Sequence, residues 1–186
     1  MEQDKNLISQ CQQGDKNCFG QLVTPYLNEA YAISVTILNS KEQAEDAVQN
    51  AMIEAYRNIM MHKEIRNFRS WFLTLVSSRS IDLLRKNVKD MKQITDIEEY
   101  QFDSKETPLT DLLLKEESGI LMQHLLNLPS KYRTVITLHY YQDLSIREIA
   151  QILEIKEGTV KSRLHKARLV LNQILTKQNQ FIKVGE

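Results

Sequence analysis

The chain has 186 residues, 42% apolar and 26% charged, with a formal net charge of zero, so it is typical of soluble globular proteins and long enough for one ordinary domain or two small ones. No apolar run approaches the roughly 20 residues that span a bilayer, and the polar N-terminus lacks the pattern of a signal peptide, so we expect a cytoplasmic protein without stable membrane insertion. With only 5 Gly and 3 Pro, the chain lacks the turn residues of a β protein, and we expect an all-α fold.

Charge is segregated along the sequence. The excess of Lys and Arg over Asp and Glu is −4 for residues 1–62, +4 for 63–86, −4 for 87–112 and +4 for 113–186. The basic blocks are candidate surfaces for phosphate, whereas the acidic blocks would repel phosphate and must face another partner.

The first half of the chain has apolar residues at helical spacing. Ser40 followed by Gln43 has the form of a capping box, which predicts that a helix begins at Lys41. The helical stretches are 4–38 with a break near Pro25, 41–60 and 69–86.

Two cysteines, Cys11 and Cys18, lie seven residues apart. No further Cys or nearby His completes a ligand set, so we expect reduced structural thiols, no metal and no cofactor. The sequence leaves open whether the pair has a redox role.

A polar, acidic stretch follows the first helices. Helical periodicity disappears over residues 87–112, where Pro108 also interrupts the chain, and this favours a flexible acidic linker. Helices are predicted again over about 113–126 and from Ser130, acting as a cap, through Tyr141. The predicted organisation is a helical domain, a linker, a second helical domain and a tail, at 1–87, 88–112, 113–178 and 179–186.

Residues 144–168, LSIREIAQILEIKEGTVKSRLHKAR, have the pattern of two helices joined by an abrupt turn. Ser145 and Glu148 form a capping box, which predicts a first helix over 146–153, and a second helix follows the turn EIKE from near Gly158. This second helix has apolar and polar sides, formed respectively by Val160, Leu164, Ala167 and Leu171, and by Ser162, His165 and Lys166. The pattern indicates a DNA-binding helix-turn-helix, with an ordinary solvated basic helix as the alternative.

Three segments together resemble the sigma-70 family of RNA polymerase sigma factors, and specifically its small extracytoplasmic-function (ECF) group: AEDAVQNAMIEAYRN (44–58), FRSWFLTLVSSRSIDLLRK (68–86) and LPSKYRTVITLHYYQDLSIREIAQILEIKEGTVKSRLHKAR (128–168). The resemblance covers nearly the whole chain. It implies two helical domains, a region 2-like and a region 4-like one, and no enzymatic activity. It also implies that the chain binds core polymerase through the beta and beta-prime subunits, directs it to promoter DNA in a stress or envelope response, and is held inactive by an anti-sigma factor.

The resemblance assigns a role to each segment. The core-binding positions it implies on the first segment are Asp46, Gln49, Asn50, Ile53 and Tyr56. The positions implied for the minus-ten element, where interleaved aromatic and basic residues suit single-stranded DNA, are His62, Lys63, Arg66, Asn67, Phe68, Arg69, Ser78, Arg79, Arg85 and Lys86. The positions implied for the minus-thirty-five element are Thr159, Lys161, Ser162, Arg163, His165, Lys166 and Arg168.

The sequence departs from the family pattern at a few positions. Ser77 and Ser78 stand where an Arg-Asn pair is usual, and the loop HKEIRN lacks the frequent Arg-Gly. Glu154 occupies the turn position where the family has Gly.

Two alternative functions remain open on the sequence alone. A helix-turn-helix repressor or activator would self-associate and bind its operator without polymerase, but it leaves the basic, aromatic-rich block at 63–86 without a role. A carboxylate-bundle enzyme would use metal ligands on one helix, at Glu42, Glu45, Asp46 and Glu54, although no Glu-x-x-His pair accompanies them. A solvated acidic face is the simpler interpretation.

Overall fold

A computed structural model describes residues 2–15, 17–94 and 122–182, with side chains up to residue 87 in the second range and up to residue 173 in the third. The described residues form helices and no strand, as the composition predicts. The chain divides into two compact units, Met1–Ile94 and Thr95–Glu186. Most of the predicted linker and the start of the predicted helix at 113–126 lie outside the described residues.

The first unit is a bundle in which α3, α4 and α5 pack against one another. The buried side of α4 is made mainly of small side chains, which let the neighbouring helices approach closely: Ala44, Ala47, Ala51 and Ala55, beside Val48 and Ile59. The break predicted near Pro25 is a short 3₁₀ turn, Thr24–Tyr26. The helices are α1 (Glu2–Gln12), α2 (Asn17–Val23), α3 (Leu27–Leu38), α4 (Lys41–Met60) and α5 (Phe68–Ile94).

One predicted capping box and one predicted helix boundary in the first unit need correction. Ser40 caps α4 by accepting a hydrogen bond from the Gln43 backbone N–H at 3.3 Å, as predicted. The Gln43 side chain, however, does not complete a capping box, because its oxygen accepts a hydrogen bond from the Asn87 amide at 3.0 Å. This contact helps to anchor α5, which continues to Ile94 rather than ending at Lys86, since no Gly or Pro interrupts it.

Serines fill the seam between α3 and α5. Ser34, Ser77 and Ser80 are fully buried, and the hydroxyl oxygens of Ser34 and Ser80 lie 2.8 Å apart. Ser77 donates to the Leu73 carbonyl oxygen at 3.0 Å, so its polar group is satisfied within its own helix. The departure from the family pattern at Ser77 is therefore a packing feature of the core.

Both cysteines are buried free thiols. The Cys18 Sγ–H lies 3.1 Å from Gln10 Oε1 and 3.1 Å from Asp15 Oδ2, and the hydrogen bond to Asp15 with burial raises the pKa of Cys18 to about 11. Burial also raises the pKa of the Cys11 thiol. Both groups are thus held in the protonated form at neutral pH, which disfavours thiolate chemistry.

The second unit is built on the apolar side of its longest helix. Val160, Leu164 and Ala167 of α8 are buried, where α8 packs against α6 and α7. Residues 122–126 are also helical. The named helices are α6 (Ser130–Ile136), which continues as a π-helix over Thr137–Tyr141, α7 (Ile146–Leu153) and α8 (Glu157–Ile182).

The start of α6 is organised by a buried arginine and not by the predicted serine cap. Ser130 is the first helical residue, Pro129 precedes it, and no side chain caps this end. The buried Arg133 guanidinium instead donates from Nη1 to the Leu126 and Leu128 carbonyl oxygens at 2.7 and 2.9 Å. Burial lowers the pKa of Arg133 to about 10, and these two carbonyls offset the cost of burying the charge.

The helix-turn-helix forms as predicted. Ser145 and Glu148 make a complete capping box at the start of α7, and their hydrogen bonds lower the pKa of the Glu148 carboxyl. At the other end of α7, Glu154 adopts the left-handed conformation with φ 54°. The Ile155 N–H then donates to the Ala150 carbonyl oxygen at 3.0 Å, which closes a Schellman turn.

We expect Glu154→Gly to stabilise the protein by about 0.5–1 kcal/mol, because glycine adopts this φ without the steric penalty that a Cβ brings. This figure allows for the greater conformational entropy that glycine gives the unfolded chain, which offsets part of the gain. Gln151→Gly is the matched control, since an exposed helical position should lose about 1 kcal/mol. Denaturant unfolding of the three proteins measures both changes. A lower unfolding midpoint for Glu154→Gly would show that the Glu154 side chain stabilises the turn.

Candidate nucleic-acid and protein interfaces

The outward face of α4 carries all five positions assigned to polymerase binding. Asp46, Gln49, Asn50 and Ile53 are exposed and Tyr56 is half-buried. They lie three or four residues apart, on the side of the helix opposite its buried alanines. Ile53 is 51% exposed, which is unusual for a β-branched apolar side chain on a polar helix face.

A groove runs beside Ile53. It has a volume of about 420 Å³ and is lined mainly by apolar atoms. Phe19, from α2, closes one side, and its ring packs edge-on against Tyr56 with centroids 5.3 Å apart. The sequence did not single out Phe19, because only the packing of α2 beside α4 brings the two rings together. The lining residues are Phe19, Gln49, Met52, Ile53, Tyr56 and Arg57.

The acidic residues of α4 do not form a metal site. Among the residues that the structure describes, no group of three or more His, Cys, Asp or Glu side chains is arranged to hold a metal ion. Glu54 accepts a hydrogen bond from Arg79 Nε at 2.7 Å, whereas Glu42, Glu45 and Asp46 are exposed.

The described helices also contain none that is long and apolar enough to cross a membrane.

The loop between α4 and α5 presents several of the predicted minus-ten residues to solvent. His62, Lys63, Arg66 and Asn67 are exposed, and His62 has a left-handed backbone with φ 55°. Asn67 also caps α5, since its Oδ1 accepts a hydrogen bond from the Ser70 N–H at 3.1 Å. At the other end of the loop, the Lys63 N–H donates to the Asn58 carbonyl oxygen at 3.1 Å, so contacts at both helix termini hold the loop.

The structure corrects the expectation for Phe68. Its side chain is 1% exposed and stacks on Phe72, with centroids 5.6 Å apart, so the ring faces the core and cannot stack on a base. Trp71 and Tyr26 pack on other sides of the same ring. The aromatic residues of this segment therefore build the domain.

Several of the predicted minus-ten cations are already paired with carboxylates. Arg69 Nε donates to Glu29 at 3.1 Å, and Arg79 is held by Glu54 at 2.7 Å and Asp82 at 2.8 Å. Arg66 pairs with Glu64 at 3.1 Å, and Arg85 lies 3.6 Å from Asp82. Ser78, the uncharged member of the predicted minus-ten set on α5, is half-buried. Lys63 and Lys86 are exposed and have no carboxylate partner within the described ranges.

The second helix of the helix-turn-helix, α8, is oriented as its sequence predicts. Its buried side is formed by Val160, Leu164 and Ala167. The predicted DNA-facing positions are exposed at Lys161, Ser162, His165, Lys166 and Arg168, and half-buried at Thr159 and Arg163. The Ser162 hydroxyl donates to the Thr159 carbonyl oxygen at 3.0 Å, and Arg168 Nε donates to the Tyr140 hydroxyl at 2.8 Å.

Comparison with known families matches both units. The model for Sigma-70 region 2 matches residues 22–89, and that for Sigma-70, region 4 matches residues 118–171. ECF RNA polymerase sigma factor SigW of Bacillus subtilis is 34% identical over 92% of this chain and 96% of its own length. The ECF RNA polymerase sigma-E factor of Haemophilus influenzae is 31% identical over 92% of this chain and 95% of its own length.

Two solved structures share the fold. CnrH, in complex with the cytosolic domain of CnrY, is 20% identical with a TM-score of 0.56, over 94% of this chain and 98% of its own. RpoE of Bartonella quintana, in complex with the anti-sigma factor NepR, is 22% identical with a TM-score of 0.57, over 85% and 96%.

The two helical units are thus region 2 and region 4 of a sigma-70 protein. Within that family, the chain belongs to the ECF RNA polymerase sigma factors, which makes it a transcription initiation factor that directs RNA polymerase to promoters.

The ion pairs of α5 predict different effects for two of its cations. Arg79→Ala should lower the free energy of unfolding by up to about 1 kcal/mol, because Arg79 joins α4 to α5, and should hardly change the salt dependence of promoter binding. Lys86→Ala should leave stability unchanged and lower the salt slope by about one unit. Denaturant unfolding and holoenzyme binding at several salt concentrations measure these effects. The opposite pattern would mean that Arg79 leaves its carboxylates to bind DNA.

Proposed function

We propose that the outward face of α4 is the surface through which this sigma factor binds the beta and beta-prime subunits of core polymerase. The observation that carries the proposal is the exposed Ile53 beside the apolar groove. Apolar anchors that fill a pocket supply much of the energy of protein interfaces, and polar residues surround them. Asp46, Gln49 and Asn50 provide such a polar border.

We propose that the remaining assigned residues bind promoter DNA. Ser162, His165 and Lys166 would read base edges of the minus-thirty-five element, since they point away from the buried side of α8, and Lys161, Arg163 and Arg168 would hold phosphates. Thr159 would contact the backbone near the start of the helix. In region 2, the loop at 62–67 and the exposed side of α5 would bind the minus-ten element, with Lys63 and Lys86 as cations that have no carboxylate partner in the described part of the chain.

We propose that an anti-sigma factor regulates this chain. Of the two structural neighbours, RpoE is in complex with the anti-sigma factor NepR, and CnrH is in complex with the cytosolic domain of CnrY. The exposed apolar groove on α4 supports a protein partner that would compete with polymerase there. A role in a stress or envelope response, exerted in the cytoplasm and without enzymatic activity, fits this mode of control.

In vitro transcription with purified core polymerase tests the function as a whole. The template is a promoter that the holoenzyme selects from a random duplex library. We expect specific transcripts only when the sigma factor is added. Tight sequence-specific binding of the free protein, without any transcript from the holoenzyme, would instead favour a repressor.

Ile53→Asp should weaken core binding while leaving region 2 folded, because Ile53 is half exposed in the free protein and the change places a charge in the proposed apolar contact with polymerase. The affinity should fall by at least about tenfold. Gln21→Asp, which adds the same charge at an exposed position of α2, is the matched control and should bind normally. Titration of labelled sigma factor with core polymerase measures the affinity, and circular dichroism checks the fold. Normal binding by Ile53→Asp would move the interface away from this groove.

Base-reading and phosphate-holding residues on α8 should respond differently to substitution. Lys166→Ala and His165→Ala should each cost about 1–3 kcal/mol on the selected promoter and flatten discrimination at single base positions. Lys161→Ala should weaken all promoters alike and lower the salt slope by about one unit. Binding to a panel of single-base promoter variants at two salt concentrations separates the two classes. If Lys166→Ala is sequence-blind and Lys161→Ala is selective, α8 lies in the groove with a different face.

A further inference from the structure

Tyr140 is an exposed aromatic residue that the structure holds in a defined position. It lies in the π-helix Thr137–Tyr141, where the wider turn buries Thr137 and Leu138 and leaves Tyr140 54% exposed. Single π-helical turns are rare and often occur at functional sites. The question is what this tyrosine does at the surface of region 4.

A histidine fixes the tyrosine ring from one side. The His139 ring packs edge-on against Tyr140, with centroids 4.9 Å apart and planes at 72°. His139 is itself anchored, because its Nδ1–H donates to the Leu144 carbonyl oxygen at 2.9 Å, just before the capping box of α7. The position of the phenol is thus tied to the framework of the helix-turn-helix.

The other side of Tyr140 meets Arg168 of the recognition helix. Arg168 Nε donates to the Tyr140 hydroxyl at 2.8 Å, and the guanidinium carbon lies 5.6 Å from the ring centroid. Guanidinium has five N–H donors, so this contact uses one and leaves the four on the two terminal nitrogens. Those nitrogens form the fork that binds a phosphate in bidentate fashion.

The partner of Arg168 is a phenol, which, unlike a carboxylate, leaves the positive charge of the guanidinium intact. In region 2, Arg69 and Arg79 are held by carboxylates, which cancel their charge. Arg168 is held by a neutral phenol and has no carboxylate within 4.0 Å among the described residues. A phenol orients the guanidinium and leaves its full positive charge for the DNA backbone.

The position of Arg168 on α8 fits a backbone contact. Arg168 lies seven residues after Lys161, so the two side chains differ by only about 20° around the helix and lie about 10 Å apart along it. Both are exposed. They form one basic edge beside the base-reading residues, and Tyr140 supports the far end of that edge.

We infer that Tyr140 is a positioning residue for promoter binding: its hydroxyl orients the Arg168 guanidinium so that the terminal nitrogens face a phosphate of the minus-thirty-five region. The inference rests on the proposed role of α8 in DNA binding. It assigns Tyr140 no contact with a base.

A double-mutant cycle on the full chain in reconstituted holoenzyme tests this role. The four proteins are wild type, Tyr140→Phe, Arg168→Ala and the double variant, and the probe is the duplex promoter selected from the random library. Tyr140→Phe keeps the ring and removes the hydrogen bond, so binding should weaken about two- to tenfold, equally on matched and single-base variant promoters. Arg168→Ala should lower the salt slope by about one unit. The double variant should bind like Arg168→Ala alone, because Tyr140 acts through Arg168.

Controls separate positioning from folding. Tyr141→Phe removes the neighbouring phenol, which is 39% exposed and makes no bond to Arg168, and should bind like wild type. Thermal unfolding of each variant should match wild type, since the Tyr140–Arg168 pair lies at the surface. A Tyr140→Phe variant that lost stability together with affinity would show a structural role and overturn the inference.

The other possible outcomes distinguish failure of the positioning role of Tyr140 from failure of the proposed role of α8. An equal loss from Tyr140→Phe with and without Arg168 would mean that Tyr140 acts independently, and would overturn the inference. If Arg168→Ala weakens binding but Tyr140→Phe does not, positioning fails while the proposed role of α8 stands. If Lys161→Ala, Lys166→Ala and Arg168→Ala all bind like wild type, the proposed role of α8 fails, and the inference fails with it.

Discussion

Each functional surface of this sigma factor depends on the burial of one apolar stripe on the helix that carries it. On α4 the stripe is made mainly of alanines, together with Val48 and Ile59, and α4 packs there against α3 and α5. On α8 it is Val160, Leu164 and Ala167, buried where α8 meets α6 and α7. Once these stripes are fixed, the geometry of the helix turns the opposite residues outward, whatever their chemistry. Ile53 and the basic edge of α8 are therefore exposed because the apolar faces of the same two helices are buried in the domain cores.

The two domains treat their positive charges differently. In region 2 most of the cations of the basic block pair with carboxylates of the same domain, so the net charge of that block overstates the field available to DNA. In region 4, Lys161 and Lys166 are exposed, and Arg168 is held by a phenol that leaves its charge intact. The positive charge of the basic block in region 2 is thus largely neutralised within its own domain, whereas these cations of α8 keep theirs.

Local sequence signals predicted elements well where the partner groups are close in sequence. The capping box of Ser145 with Glu148 forms completely, because both residues lie within one turn of α7. The same signal at Ser40 was only half right, since the Gln43 side chain bonds to Asn87, 44 residues away. Phe68 was assigned to DNA for a different reason: an aromatic residue in a basic segment looks the same in the sequence whether it packs inward or outward, and only its burial in the domain core decides between the two.

The sequence by itself determined the all-α class, the two helical units and the orientation of α8, because helical periodicity and capping are local properties read from residues a few positions apart. The sigma-70 family was indicated separately, by the resemblance of the segments 44–58, 68–86 and 128–168 to that family. Only the tertiary structure decided which side chains of separate helices contact one another and which of their polar groups form hydrogen bonds or ion pairs. It brought Phe19 beside Tyr56 to line a groove, tied Arg79 to Glu54, and placed Tyr140 against Arg168, 28 residues further along the chain. These are pairings between separate helices, and no periodicity within one helix specifies them.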